Sequence, residues 1–194
     1  KLFGYTETNP KILENYLNNE YLKYAKAILF SNEGNLLESL RLINELIELI
    51  PSNYHFIETK ADILYAHSYT KEAKQFYKIA LFNNSNNIYV KKRLFDIEYD
   101  SLNFDNTISV NEIFSNNRDL IYLHVNDIVF YRKWINILNK LQNIELMIFL
   151  LAKIDLINND NKEASKKLQN LINTTNDKKL LKNSKILLNN INYE

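Results

Sequence analysis

Residues 21–52 and 55–86 repeat one another at a spacing of 34 positions. In that register Ala27 pairs with Ala61, Phe30 with Leu64, Ser39 with Ala73, Ile43 with Tyr77 and Leu46 with Ala80. Within the first copy Leu40, Ile43, Leu46, Ile47 and Ile50 keep helical spacing, so each copy reads as helical. A period of this length holds two antiparallel helices, and such a pair cannot bury its apolar faces alone. The small residues at 27, 39, 61 and 73 mark where neighbouring helices must approach closely. Such a chain stacks helix pairs, and a stack presents a surface rather than an active-site crevice.

The period and the placement of small residues match the tetratricopeptide pattern, which predicts an all-α, right-handed solenoid of antiparallel helix pairs. With two Gly and two Pro in 194 residues, β-hairpins and Gly-cradled phosphate sites have almost no raw material. An apolar fraction of 46% supplies an ample core. Asn runs such as 83–87 read as helix ends and caps rather than as disorder, because each falls where one helix must stop and the next begin.

Turn signals divide the chain into a lead-in over 1–19 and a repeat domain over 20–194. Asn9-Pro10 opens a short helix to about Asn18. Helix pairs follow over about 20–52, with a turn at Gly34-Asn35 and a stop at Pro51, and over 53–86, with a turn near Ser68-Tyr69. A third pair over 87–117 is degenerate, since a further step of 34 lands on Phe95, Thr107, Asn111 and Phe114. The irregular stretch 118–143 reads as one long helix from Arg118 to Leu141 carrying Trp134, with a break at Gln142-Asn143. A last pair over 144–176 repeats the small-residue offset in Ala152 and Ala164, and a Lys-rich helix over 177–194 caps the stack.

Several chemistries lack their residues. Cysteine is absent, which removes disulfides and thiolate sites but fixes no compartment. His55, His67 and His124 stand far apart and outside any zinc spacing, and no nucleophile elbow, phosphate loop or dinucleotide fingerprint occurs. His55 and Glu58 lie one helical turn apart, close enough to share a ligand, but read as polar residues of the surface; Asp96 and Asp100 are also one turn apart, with nothing nearby that suggests a substrate pocket. No cofactor, metal or catalysis is expected within these residues. A net charge of +1 with signs interleaved gives no reason to expect nucleic acid. The most apolar stretch, Ile144 to Ile157, contains Glu145, Lys153 and Asp155 and is too short for a transmembrane segment. The chain opens on Lys1 rather than Met, with no signal-peptide pattern, and reads as a fragment.

What remains is the concave groove that the first helix of each pair, the A helix, lines in this repeat geometry. Projection of the inward positions selects Tyr21, Tyr24 and Ile28 from the first pair, then His55, Glu58, Asp62 and Tyr65 from the second. The third contributes Tyr89, Lys92, Asp96 and Tyr99. Tyrosine offers large area and a hydroxyl at low entropic cost, which suits recognition of a protein or peptide partner. The same rings can instead pack between adjacent A helices. Tyr24 and Ile28 stand where a receptor for C-terminal carboxylate tails needs Lys or Asn, so that role is not expected.

A narrower likeness lies in the opening Lys1-Leu2-Phe3-Gly4-Tyr5, in Pro10, Leu13 and Tyr16, and in Tyr24-Ala25-Lys26-Ala27-Ile28. It continues through Asn35-Leu36, Leu40, Ile43-Asn44-Glu45-Leu46-Ile47, Pro51, Asn53, Phe56, Glu58, Lys60 and Ile63-Leu64, and returns at Trp134, Ala152, Asn159-Asp160-Asn161 and Ala164. In these residues the chain resembles the C-terminal tetratricopeptide domain of BepA-like bacterial zinc metallopeptidases. The resemblance implies a periplasmic, non-catalytic module whose zinc site belongs to a preceding peptidase domain. Its implied partners are that peptidase domain and outer-membrane assembly proteins or their misassembled clients. A scaffold subunit of a larger complex is the alternative. An RNA-binding helical repeat, prompted by Lys91-Lys92-Arg93 and Lys178-Lys179, is the lesser one, because Asp96, Glu98 and Asp100 balance that charge.

Overall fold

Asparagine and aspartate open nearly every described helix. The computed structural model describes residues 19–123 and 125–192, so the lead-in helix expected after Asn9-Pro10, and His124, lie outside the described residues. The described residues form ten α-helices and one 3-10 turn, without a strand. By internal packing the chain divides into two compact units, Lys1–Ile97 and Glu98–Glu194.

In the first unit α1 (Glu20–Asn32) pairs with α2 (Leu36–Leu49), α3 (Tyr54–Ala66) pairs with α4 (Thr70–Asn83), and α5 begins at Ile88 and runs to Asp100. Side chains of Asn19, Asn35, Asn53 and Asn87 accept hydrogen bonds from first-turn amides of α1, α2, α3 and α5, at 2.9, 3.3, 3.1 and 3.1 Å. Asn19 and Asn87, each the last residue of an Asn run, are therefore caps, while Asn35 and Asn53 cap as single residues and the run Asn189-Asn190 lies inside the final helix. The turn inside each of the first two pairs closes by a left-handed residue, Gly34 (φ 82°) or Ser68 (φ 68°). Asn35 N–H then reaches the Phe30 carbonyl at 2.8 Å, and Tyr69 N–H the Leu64 carbonyl at 2.9 Å, which satisfies carbonyls that the helix end would orphan.

Ala27, Ser39, Ala61 and Ala73 are all fully buried, as the 34-residue register requires. One core gathers Ala27, Leu42, Ile43, Leu46, Phe56 and Ile63, and another gathers Ala61, Leu64, Ala73, Tyr77, Ala80, Val90, Leu94 and Ile97. Helices α1 and α3 also touch, so A helix packs on A helix as well as on its own partner.

The third pair departs from the projected positions. Thr107 and Asn111 are exposed, and Val110 is fully buried instead. The connection from α5 to α6 (Thr107–Asn117) spans six residues, 101–106, where the first two pairs use three, 33–35 and 67–69. The buried position stays fourth in the second helix, so the longer turn displaces it from 107 to 110. A fixed step of 34 fails at a turn of different length, while the fourth position of the second helix stays buried.

In the second unit the long helix expected from Arg118 to Leu141 is broken. A 3-10 turn over Arg118–Tyr122 passes into an extended link, described at Leu123 and over 125–127, and α7 (Ile128–Lys140) starts anew. The Asp127 side chain accepts a 3.0 Å hydrogen bond from Phe130 N–H, and this cap halts the helical path from the N-terminal side. Trp134 on α7 is fully buried. Helices α8 (Ile144–Ile157) and α9 (Asn161–Thr174) bury Ala152 and Ala164 completely, and α10 (Lys178–Asn192) buries Leu180, Ser184 and Leu187 while Lys178, Lys179, Lys182 and Lys185 face solvent.

Candidate functional site

The A helices of the first unit, α1, α3 and α5, bring most of the expected tyrosines and carboxylates into contact. Tyr24 Oη lies 3.1 Å from Thr59 Oγ1, and its ring centroid is 5.9 Å from that of Phe56. Tyr24 is half-buried by this contact between α1 and α3, so it serves packing as well as surface. The Glu58 carboxylate accepts a 2.7 Å hydrogen bond from the Asn87 side-chain amide and lies 3.9 Å from His55 Nδ1. One turn along, Asp62 accepts from two phenols, the fully buried Tyr77 at 2.5 Å and the more exposed Tyr89 at 2.6 Å.

Arg93, which projection from the repeat did not select, completes this arrangement. Its Nε donates to Tyr89 Oη at 3.0 Å, and its guanidinium carbon lies 5.6 and 5.1 Å from the ring centroids of Tyr65 and Tyr89. The Tyr89 hydroxyl therefore accepts from a guanidinium and donates to a carboxylate. Burial, with the hydrogen bond to Asp62, pushes the Tyr89 phenol up to about 12. The same causes push Tyr77 up further. The signal for Arg93 was its place four residues after Tyr89 on one helix, where side chains meet.

Other expected residues stand apart. Tyr21 is 85% exposed and Ile28 37%, so both remain surface groups of α1. Lys92 and Asp96 are half-buried on α5. Tyr99 belongs to the second unit, where its hydroxyl accepts a 2.8 Å hydrogen bond from Asn136, Lys133 Nζ lies 5.2 Å from its ring centroid, and Phe104 meets it edge-on at 5.5 Å.

The second unit also holds a charged residue that sequence reading treated only as a bar to membrane insertion. Lys153 is 4% exposed, and its Nζ donates hydrogen bonds of 2.8 Å to the carbonyls of both Ile121 and Leu123. Tyr131 Oη donates to the same Leu123 carbonyl at 3.3 Å and accepts from Val125 N–H at 3.1 Å. Lys153 and Tyr131 thus tie the extended link to α8 and α7.

Among the described residues, no group of three His, Asp or Glu side chains could hold a metal ion, and no helix is long and apolar enough to cross a membrane. No model of a known protein family matches the chain, and no curated protein matches it. The structure itself defines an all-α protein of consecutively paired helices with the character of an α-solenoid.

Proposed function

We propose that this chain is a tetratricopeptide-type repeat domain that binds a protein or peptide partner on the A-helix face of its first unit. The assembly of Tyr65, Arg93, Tyr89 and Asp62 carries the reading. Aromatic rings and a guanidinium are the side chains most often responsible for binding energy at protein interfaces. Here their mutual contacts order them before a partner arrives, which lowers the entropic cost of binding. The likeness to BepA-like peptidases extends the proposal: the domain docks beside a zinc peptidase domain in the periplasm and recruits outer-membrane assembly proteins or their clients.

The test is a titration of a partner captured from an envelope extract against the wild-type chain, Tyr65→Ala, Arg93→Ala and the control Lys185→Ala. Tyr65→Ala and Arg93→Ala should each weaken binding by about 1–2 kcal/mol, with helix content preserved and the control unaffected. Full affinity in both variants would remove this face from consideration. The peptidase extension is judged separately, by whether a His-Glu-x-x-His sequence is encoded ahead of Lys1 in the same reading frame.

A further inference from the structure

A buried cation is ordinarily paired with an anion, because removing a lone charge from water is costly. Lys153 departs from this. Its hydrogen-bond acceptors are two backbone carbonyls, its remaining close neighbours are the rings of Tyr131 and Phe149 at 5.2 and 5.0 Å, and among the described residues no carboxylate pairs with it. Carbonyl dipoles and ring faces soften the cost of the charge without cancelling it. Two of the three ammonium donors are committed, which leaves one.

Lys153 and Tyr131 also line a cavity of about 470 Å³ in the second unit. That volume falls within the range of about 300–1,000 Å³ usual for small-molecule sites. The exposed amides of Asn126, Asn161 and Asn190 stand at its solvent side, and Leu156 and Leu187 supply apolar wall. The cavity therefore offers one uncompensated positive charge, several neutral hydrogen-bonding groups and an apolar surface. A dianion would bring more charge than one ammonium balances, and a neutral alcohol would leave the ammonium unpaired. We propose that the cavity binds a small amphipathic monocarboxylate, whose carboxylate becomes the counter-charge of Lys153 and whose hydrocarbon lies against Leu156 and Leu187. This site is independent of the partner-binding face, which belongs to the first unit.

The pairing predicts a pH dependence. Burial alone holds the Lys153 ammonium down at about 7, so above that value a bound carboxylate must draw in a proton. Around Lys153, Tyr131 is the titratable neighbour from α7 and Asp127, at the start of α7, acts on Tyr131. On α8 itself Asp155 is engaged by Lys167 at 2.7 Å, and α9 and α10 present amides and aliphatic groups to the cavity.

Calorimetric titration of the full chain with octanoate and with octan-1-ol tests the site. Octanoate should bind saturably, one per chain and at least about tenfold more tightly than octan-1-ol near pH 6.5, and lose that advantage by about pH 9. Lys153→Met should abolish the preference for the carboxylate. Should that variant not fold, Leu156→Trp, which fills the wall and keeps the lysine, must weaken octanoate binding to wild-type-like protein. Absent saturable binding, equal affinity for the alcohol, a pH-independent preference, or undiminished binding in Leu156→Trp would each overturn the proposal.

Discussion

The Ser39 hydroxyl, fully buried on α2, donates a 2.7 Å hydrogen bond to the carbonyl of Ala27 on α1. The two small residues thus meet across the first helix pair, and the hydroxyl spans a gap too narrow for a larger side chain. In the second pair Ala73 takes the position of Ser39, so packing there proceeds without the hydrogen bond. Ser39→Ala should cost about 1 kcal/mol, the usual net worth of one hydrogen bond. Ala27→Leu or Ala73→Leu should cost about 1–3 kcal/mol through overpacking. Urea denaturation measures all three, and unchanged midpoints for both Leu variants would contradict the close approach.

Asp62 joins the core to the A-helix face, since one of its phenol partners is fully buried and the other is more exposed. Asp62→Leu strands the Tyr77 hydroxyl in the interior and should destabilise by about 1–3 kcal/mol, whereas Tyr77→Phe, which removes the donor, should cost only about 1 kcal/mol. Equal losses in the two variants would mean that the phenol is not the group at stake.

The raised phenols fix the sign of an alkaline effect. The Tyr89 value moves from about 10 when unfolded up to about 12 when folded, so its stabilising contribution is complete below about pH 10 and disappears as pH rises through about 12. Spectroscopic titration of tyrosinate should find Tyr77 and Tyr89 among the last rings to ionise, and Asp62→Asn should bring Tyr89 down.

Lys153 acts in the opposite sense. Its folded value of about 7 lies below the ordinary lysine value of 10.5, so the unfolded chain binds the extra proton between those limits. Stability should therefore rise with pH across that window, by at most about 1.4 kcal/mol per pH unit. The full contribution is present above the unfolded value and is lost as pH falls through about 7. Denaturation midpoints of wild type and Lys153→Met, compared from about pH 6.5 to 9.5, measure it, and the slope should vanish in the variant.

Among the described residues four turns close through a left-handed residue; Gly34 escapes the steric penalty of that conformation and Asn159 largely does, while Ser68 and Gln142 bear it. A Cβ on Gly34 would meet nothing within 4 Å, so the cost of Gly34→Ala, about 1 kcal/mol, comes from backbone strain rather than from a clash. Gln142→Gly should stabilise by up to about 1 kcal/mol, and Asn159→Gly should change little because Asn tolerates the conformation. Thermal melts decide between these outcomes.

Helix pairing and capping were legible because they rest on local rules. Asn19, Asn35 and Asn53 stand just before apolar periodic runs, and Ala27 and Ala61 share a register that only repeated packing requires. The break at 118–127 was hidden because residues 118–141 are compatible with a helix everywhere, and the Asp127 cap competes only once the extended link exists. Of the candidate site, Asp62, Tyr65 and Tyr89 followed from projection onto the A helices. Arg93 emerged from side-chain contacts to Tyr65 and Tyr89. Lys153 was illegible in kind, since in sequence it told only against a membrane span, and its burial depends on carbonyls 30 and 32 residues away in sequence.

Helices that touch mainly their neighbours in sequence gather their contacts across short loops, and closing a short loop sacrifices little chain entropy. Each unit can therefore begin to fold at whichever helix pair forms first, without waiting for distant segments to find one another. In the first unit α3 and α4 are the most closely packed pair, which makes them the natural nucleus and their amide protons the slowest there to exchange with solvent. Damage to α1 should then loosen that helix and its contacts with α2 and leave the nucleus standing.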